Sequence, residues 1–144
     1  MNNITTFTIN KSANEIFEAF VDPSKIGNFW FSSSSERWEP GKTITLVYDI
    51  YHAEAQIEIV AVEVNKQIVF KWGPTEEEHV VTILLKEIEP SKTIIEITEE
   101  GFKDNDPELL HKMMDNKEGW VFMLTCLKGY LEFGVTGLRT GLAK

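Results

Sequence analysis

Three histidines, one cysteine and twenty-three acidic residues are the side chains from which this 144-residue chain could build a reactive centre. His52 stands close to Asp49 and Glu54. A metal shared by His52 and Glu54 needs both on one face of an unbroken strand, because strand side chains alternate, and a hairpin turn is expected between them. Glu108 and His111 make one Glu-x-x-His pair. Carboxylate-bridged di-metal sites need two such pairs and further carboxylates, so this pair is assigned to solvent. No metal and no cofactor is predicted. The serines gather in Ser32–Ser35 without a Gly-x-Ser-x-Gly elbow, Cys126 falls within an apolar helical stretch, and neither a GxGxxG run nor a phosphate-cradling loop occurs. A cofactor-independent reaction of cyclase or hydratase type needs only one or two polar groups in an apolar cavity. Tyr48, His79 and Glu99 each supply such a group. The residues do not rank them, and whether the chain is an enzyme stays open.

Large apolar and adaptable side chains are more plentiful. Trp30, Phe31, Trp38, Tyr48, Trp72, Phe102, Met113, Trp120 and Met123, with His79 as a polar member, form the predicted lining of a ligand cavity. Any one of them fits ordinary core packing equally well, so the ligand reading rests on the set. Cys126 reads as a buried, reduced thiol. The acidic runs Glu76–Glu78 and Glu99–Glu100 read as solvated turns or strand ends, with attraction of a basic partner as the other reading.

The elements that must position these residues follow from pattern. Ile4 to Ile9 is β-branched and aromatic, which suits a half-buried strand. Ser12 with Glu15 three residues later has capping-box spacing, and Ile16, Phe17, Phe20 and Val21 form a helical stripe that stops before Pro23. A second short helix is expected over Lys25–Asn28, then a mobile serine loop over Ser32–Ser35. Strands are predicted at Glu36–Trp38, Thr43–Tyr51, Glu54–Val64, Gln67–Trp72, His79–Ile88 and Thr93–Glu100. Their short connections require antiparallel pairing in a meander. Asp106 is the expected N-cap of a long helix with Pro107 in its first turn, running to Gly134. Leu110, Met113, Trp120, Leu124, Leu127 and Leu131 form its apolar face toward the sheet. Gly119, inside that helix, is expected to mark a kink or a close approach.

The length suits one domain over residues 1–144, with 42% hydrophobic and 26% charged residues, the balance of an ordinary folded chain. A net charge of −9 argues against nucleic acid and anionic membrane surfaces as partners, since both are bound through Lys and Arg. No apolar run is long enough to span a bilayer, and the N-terminus has no basic region followed by an apolar one, so a cytoplasmic location is expected. One cysteine cannot form an internal disulfide.

In this order the elements, and several of their residues, resemble the START-like (SRPBCC) superfamily, in the AHSA-type branch related to the C-terminal domain of the activator of the heat-shock chaperone ATPase. Ile9–Phe20 looks like that branch's first strand and helix, and Trp30-Phe31 its aromatic pair. Trp38-Glu39-Pro40-Gly41 resembles a strand-turn element, Ile68–Trp72 the middle strand, Thr93–Phe102 the last strand with its Gly-Phe ending, and Gly119–Glu132 the final helix. His52-Ala53-Glu54-Ala55 departs from it where relatives often carry a hairpin glycine. The resemblance implies an α+β helix-grip fold, a curved antiparallel sheet around the C-terminal helix with a cavity between them. Function is not fixed by that fold. The leading expectation is a small, mainly apolar ligand in the cavity, admitted by motion of the serine loop or of Gly101–Pro107. The alternatives are a regulatory protein-interaction module, which the activator resemblance implies, and the cofactor-independent enzyme. Monomer and dimer are both compatible with a meander's free edges.

Overall fold

A computed structural model describes residues 1–143. Seven strands form one antiparallel sheet in the order β1-β7-β6-β5-β4-β3-β2. They are β1 (Asn2–Ile9), β2 (Ser33–Ser34), β3 (Thr43–Tyr48), β4 (Ala53–Glu63), β5 (Gln67–Trp72), β6 (His79–Glu89) and β7 (Lys92–Glu100). Helix α1 (Ala13–Val21) follows β1, and the 25-residue α2 (Leu109–Phe133) follows β7 and packs on the sheet in a helix-grip arrangement.

Alternation along the strands decides what faces α2. On β7, Thr93, Ile95, Ile97 and Glu99 are buried in turn. On β6, Val81, Ile83 and Leu85 are buried, with His79 at the head of the same row. Ile68 and Phe70 continue the layer on β5, with Trp72 next in register. Against this face lie Trp120, Met123, Leu124, Cys126 and Leu127 of α2. Helix α1 begins with the expected capping box: the Ser12 hydroxyl accepts from the Glu15 N–H, and the Glu15 carboxylate accepts from the Ser12 N–H.

Several boundaries differ from the sequence reading. Glu36–Trp38 is not a strand, because Trp38 turns inward: its backbone N–H donates to the Val21 carbonyl, and its ring packs against Phe20 and Phe70. Pairing with β3 falls instead on Ser33 and Ser34, so the serine run is an edge strand, not a loose loop. Strand β3 stops at Tyr48, where Asp49 donates its N–H to the Ser32 hydroxyl and the chain folds into a 3₁₀ turn, Asp49–Tyr51. His52 then takes the left-handed conformation, φ 50°, that the missing hairpin glycine would take.

Helix α2 starts at Leu109, three residues after the expected cap. The Asp106 carboxylate accepts from the Glu108 N–H and from Lys112 Nζ, and so closes a turn ahead of the helix. The first turns run past the sheet, leaving Leu110 73% exposed in place of the buried position expected for it. Gly134 ends the helix at φ 68°, its N–H donating to Tyr130 and that of Val135 to Gly129. A Cβ at Gly119 would meet nothing within 4 Å, so this glycine does not mark a close approach to the sheet.

Candidate ligand-binding site

Where α2 runs past the sheet, a cavity of about 640 Å³ opens between its first turns and the ends of β4 to β7. Ala55, Trp72, His79 and Glu99 line it from the sheet, Gly101 and Phe102 from the loop after β7, and Leu109, Lys112 and Asn116 from the helix. The volume lies in the range typical of small-molecule sites.

Glu99 lies at the sheet end of this cavity, 2% exposed. A buried carboxylate is costly unless its lone pairs are met. Here four donors meet them: Oε1 accepts from Asn116 Nδ2 at 2.9 Å and Trp120 Nε1 at 3.0 Å, and Oε2 lies 2.6 Å from His79 Nδ1 and accepts from Trp72 Nε1 at 3.3 Å. Asn3, opposite Glu99 across the β1–β7 pair, donates to Asn116 Oδ1 and the Met113 carbonyl, which fixes the Asn116 amide with its nitrogen toward Glu99. His79 is held from its other sides as well. The Phe102 ring lies 4.5 Å from the imidazole centroid. Gly101, at φ 121°, passes so close that a Cβ there would stand 2.7 Å from His79 Cδ2. Only glycine permits that turn.

Trp30, Trp72 and Trp120 form a wall, with Trp72 and Trp120 stacked at 5.6 Å and Trp30 5.5 Å from Trp120. Beside Trp30 is a smaller cavity of about 250 Å³, lined by Phe29, Trp30, Tyr48, Tyr51, Phe122 and Met123, with Gly119 and Leu142 completing it. The segment after α2 folds back across this region. Arg139 donates from Nε to the Trp30 carbonyl and from Nη2 to the Ser32 hydroxyl, and its guanidinium sits 4.8 Å from the Tyr48 ring centroid. The Tyr48 hydroxyl donates to the Arg139 carbonyl, and burial pushes that phenol up to about 12, partly offset by the Arg139 charge.

A family model described as "Activator of Hsp90 ATPase homolog 1-like protein" matches residues 10–132. This chain belongs to the AHSA1 family. The AHSA1 family lies within the SRPBCC superfamily. Among solved structures, the AHSA1-family chain is similar to protein SSP2350 of Staphylococcus saprophyticus, at 49% identity over 94% of this chain and 95% of that one, with a TM-score of 0.83. It also resembles the Aha1 dimer of Colwellia psychrerythraea, at 17% identity over 93% and 98% and a TM-score of 0.79. A third similar structure is PFC0360w, described as an HSP90 activator from Plasmodium falciparum, at 17% identity over 93% and 96% and a TM-score of 0.70. The two more distant likenesses are of fold. No curated protein matches the chain.

The ten residues expected to line one cavity are distributed around this AHSA1-family site in four ways. Trp72, His79 and Phe102 line the larger cavity, and Trp30, Tyr48 and Met123 the smaller. Trp120 is in the wall between them. Phe31 packs between Trp30 and Tyr48, Trp38 lies in the core beneath α1, and Met113 contributes its carbonyl to Asn3, so these three line neither cavity. Glu99 corrects the reading of Glu99–Glu100 as a solvated run: alternation buries the first and exposes the second. Sequence reasoning passed over Asn116, Asn3 and Arg139 entirely, because hydrogen bonds across more than a hundred residues carry no local signal. His52, Glu54, Glu108 and His111 are all exposed, and among the described residues no group of three or more His, Cys, Asp or Glu side chains is arranged to hold a metal. Burial pushes the Cys126 thiol up, as an unreactive core cysteine requires. No helix among the described residues is long and apolar enough to cross a membrane.

Proposed function

We propose that this AHSA1-family domain binds a small, mainly apolar ligand in the larger cavity, between the sheet ends and the first turns of α2. The observation that carries the reading is a void of about 640 Å³ in which the Trp72 and Phe102 rings stand beside the fixed His79–Glu99 pair, with charged side chains around the rest of the lining. Aromatic rings beside well-fixed polar groups in a concave site are a common feature of small-molecule sites. The mouth is framed by the Gly101–Pro107 segment, whose movement admits the ligand. The serine run pairs along β3 and lies outside the lining of this cavity.

The test is a thermal-shift screen against fatty acids, sterols, flavonoids and small metabolites. A ligand of the native state at a hundred times its Kd adds about 2.7 kcal/mol, a shift of several degrees. A selective hit supports the reading. A flat screen across every class turns the assignment toward a protein partner of the kind named for the Plasmodium falciparum relative, with the exposed Leu110 and Met114 of α2 as the first surface to alter.

The same His79–Glu99 pair favours a second reading, catalysis without a cofactor. A carboxylate that orients an imidazole toward a cavity is an arrangement for moving a proton. Turnover of a hit compound by the wild-type protein and not by His79→Leu is the observation that separates catalysis from binding.

A further inference from the structure

We infer that the ligand of the larger cavity presents a hydroxyl or amine N–H on an apolar frame to His79 Nε2, and that carboxylates are rejected. The inference rests on the binding reading given above and names its chemical class. Three of the four groups around Glu99 are the indole N–H groups of Trp72 and Trp120 and the Asn116 amide nitrogen, which can only donate. Imidazole is ordinarily the more basic of the two groups, so the proton between Glu99 and His79 is assigned to His79 Nδ1. With Nδ1 holding that proton, the neutral form of the imidazole has its free lone pair on Nε2, the acceptor we assign to the ligand. Nε2 has no hydrogen-bond partner among the described residues, and its ring lines the cavity. Phe102 and Gly101 hold that ring in place, so the acceptor is fixed before any ligand arrives. A ligand without a donor covers Nε2 and leaves it unpaired, which is costlier than the bond is worth.

The charges around the cavity act in the same direction. Glu54, Glu77, Glu99, Asp106 and Asp115 line it, against two lysines. Lys112 Nζ lies 2.6 Å from the Asp106 carboxylate, and Lys103 Nζ donates to the Glu76 carbonyl at 3.0 Å. An entering carboxylate meets a lining in which acids outnumber lysines, and an acceptor nitrogen.

The experiment measures calorimetric Kd values for three probes of one shape: 2-naphthol, its methyl ether and 2-naphthoate. The expected order is naphthol tighter than the ether by about fivefold to tenfold, the margin of one neutral hydrogen bond, with naphthoate weaker than the ether. In His79→Leu the naphthol and ether values converge to within about twofold while both still bind. Naphthoate binding as tightly as naphthol overturns the inference and leaves the cavity reading standing, as does a naphthol preference that survives His79→Leu. Binding of none of the three by the wild-type protein overturns the cavity reading and the inference together. If His79→Leu does not fold, the wild-type ¹⁵N resonance of His79 Nε2 decides the matter. It moves on accepting a proton from naphthol and stays in place with the ether, and equal movement with both contradicts the assignment.

Discussion

Glu99 concentrates the chemistry of the domain in one side chain. Two indoles, an imidazole and an amide converge on it from β5, β6 and α2, so its loss strands several buried donors at once. Glu99→Ala is therefore expected to destabilise the fold by about 3 kcal/mol, the cost of leaving buried donors without an acceptor, as read from urea unfolding. A change below about 1 kcal/mol would mean that water replaces the carboxylate without loss. The burial of Glu99 was legible: it stands in the same period-two row as Thr93, Ile95 and Ile97. Its neighbour Glu100 disguised it, because two adjacent acids read as a solvated pair unless the alternation is followed to the last residue. Its donors were not legible. Asn116 looks like any polar residue on a helix until the sheet places Asn3 and Glu99 beside it.

At the scale of elements, α2 serves two purposes along its length. From Trp120 to Leu127 it fills the sheet's concave face; before that it roofs the larger cavity. The helical period sets its direction but not where the sheet ends, which is why Leu110 was expected inside and is exposed. Strand boundaries near Ser32–Tyr51 were misread for a similar reason. There Arg139, from beyond α2, donates to the Ser32 hydroxyl, and Trp38 turns inward to the Val21 carbonyl. Gly119 offers a clean separation of the two cavities. Gly119→Ala is expected to stabilise the protein by up to about 1 kcal/mol, since the helix gains propensity and the methyl meets no atom within 4 Å. It narrows only the smaller cavity, so affinity for a ligand of the larger one stays unchanged. A calorimetric titration in which Gly119→Ala weakens binding would place the ligand beside Phe122 and Met123.

The whole molecule carries a charge of −9, and its response to acid follows from where the carboxylates sit. The bidentate Arg37 contact, at 2.8 and 2.9 Å, holds Glu18 below the usual 4.5. Hydrogen bonds from Ser24 and from Lys112 hold Asp22 and Asp106 below 3.8. Each of these groups is more acidic folded than unfolded. Their contribution is thus complete above the unfolded values and is lost as pH falls through the folded ones. Neutralising acids also relieves self-repulsion, but that term is long-range and screened at physiological salt, whereas these pairs are in contact. The melting temperature is therefore expected to fall below about pH 4.5, and a rise there would show that repulsion outweighs the pairs. Fold class was the most legible feature at this scale. Seven short strands with tight turns and one long amphipathic helix admit few arrangements, and the family's sequence pattern selects among them.

The most direct test of the central claim is a ¹H–¹⁵N spectrum of the four tryptophan indoles during titration with a hit from the thermal-shift screen. Trp72 and Trp120 donate to Glu99 at the larger cavity, whereas Trp38 lies in the core beneath α1. If the ligand occupies that cavity, the Trp72 and Trp120 indole resonances shift together with saturation and Trp38 does not move. Saturable binding that leaves Trp72 and Trp120 in place would contradict the assignment.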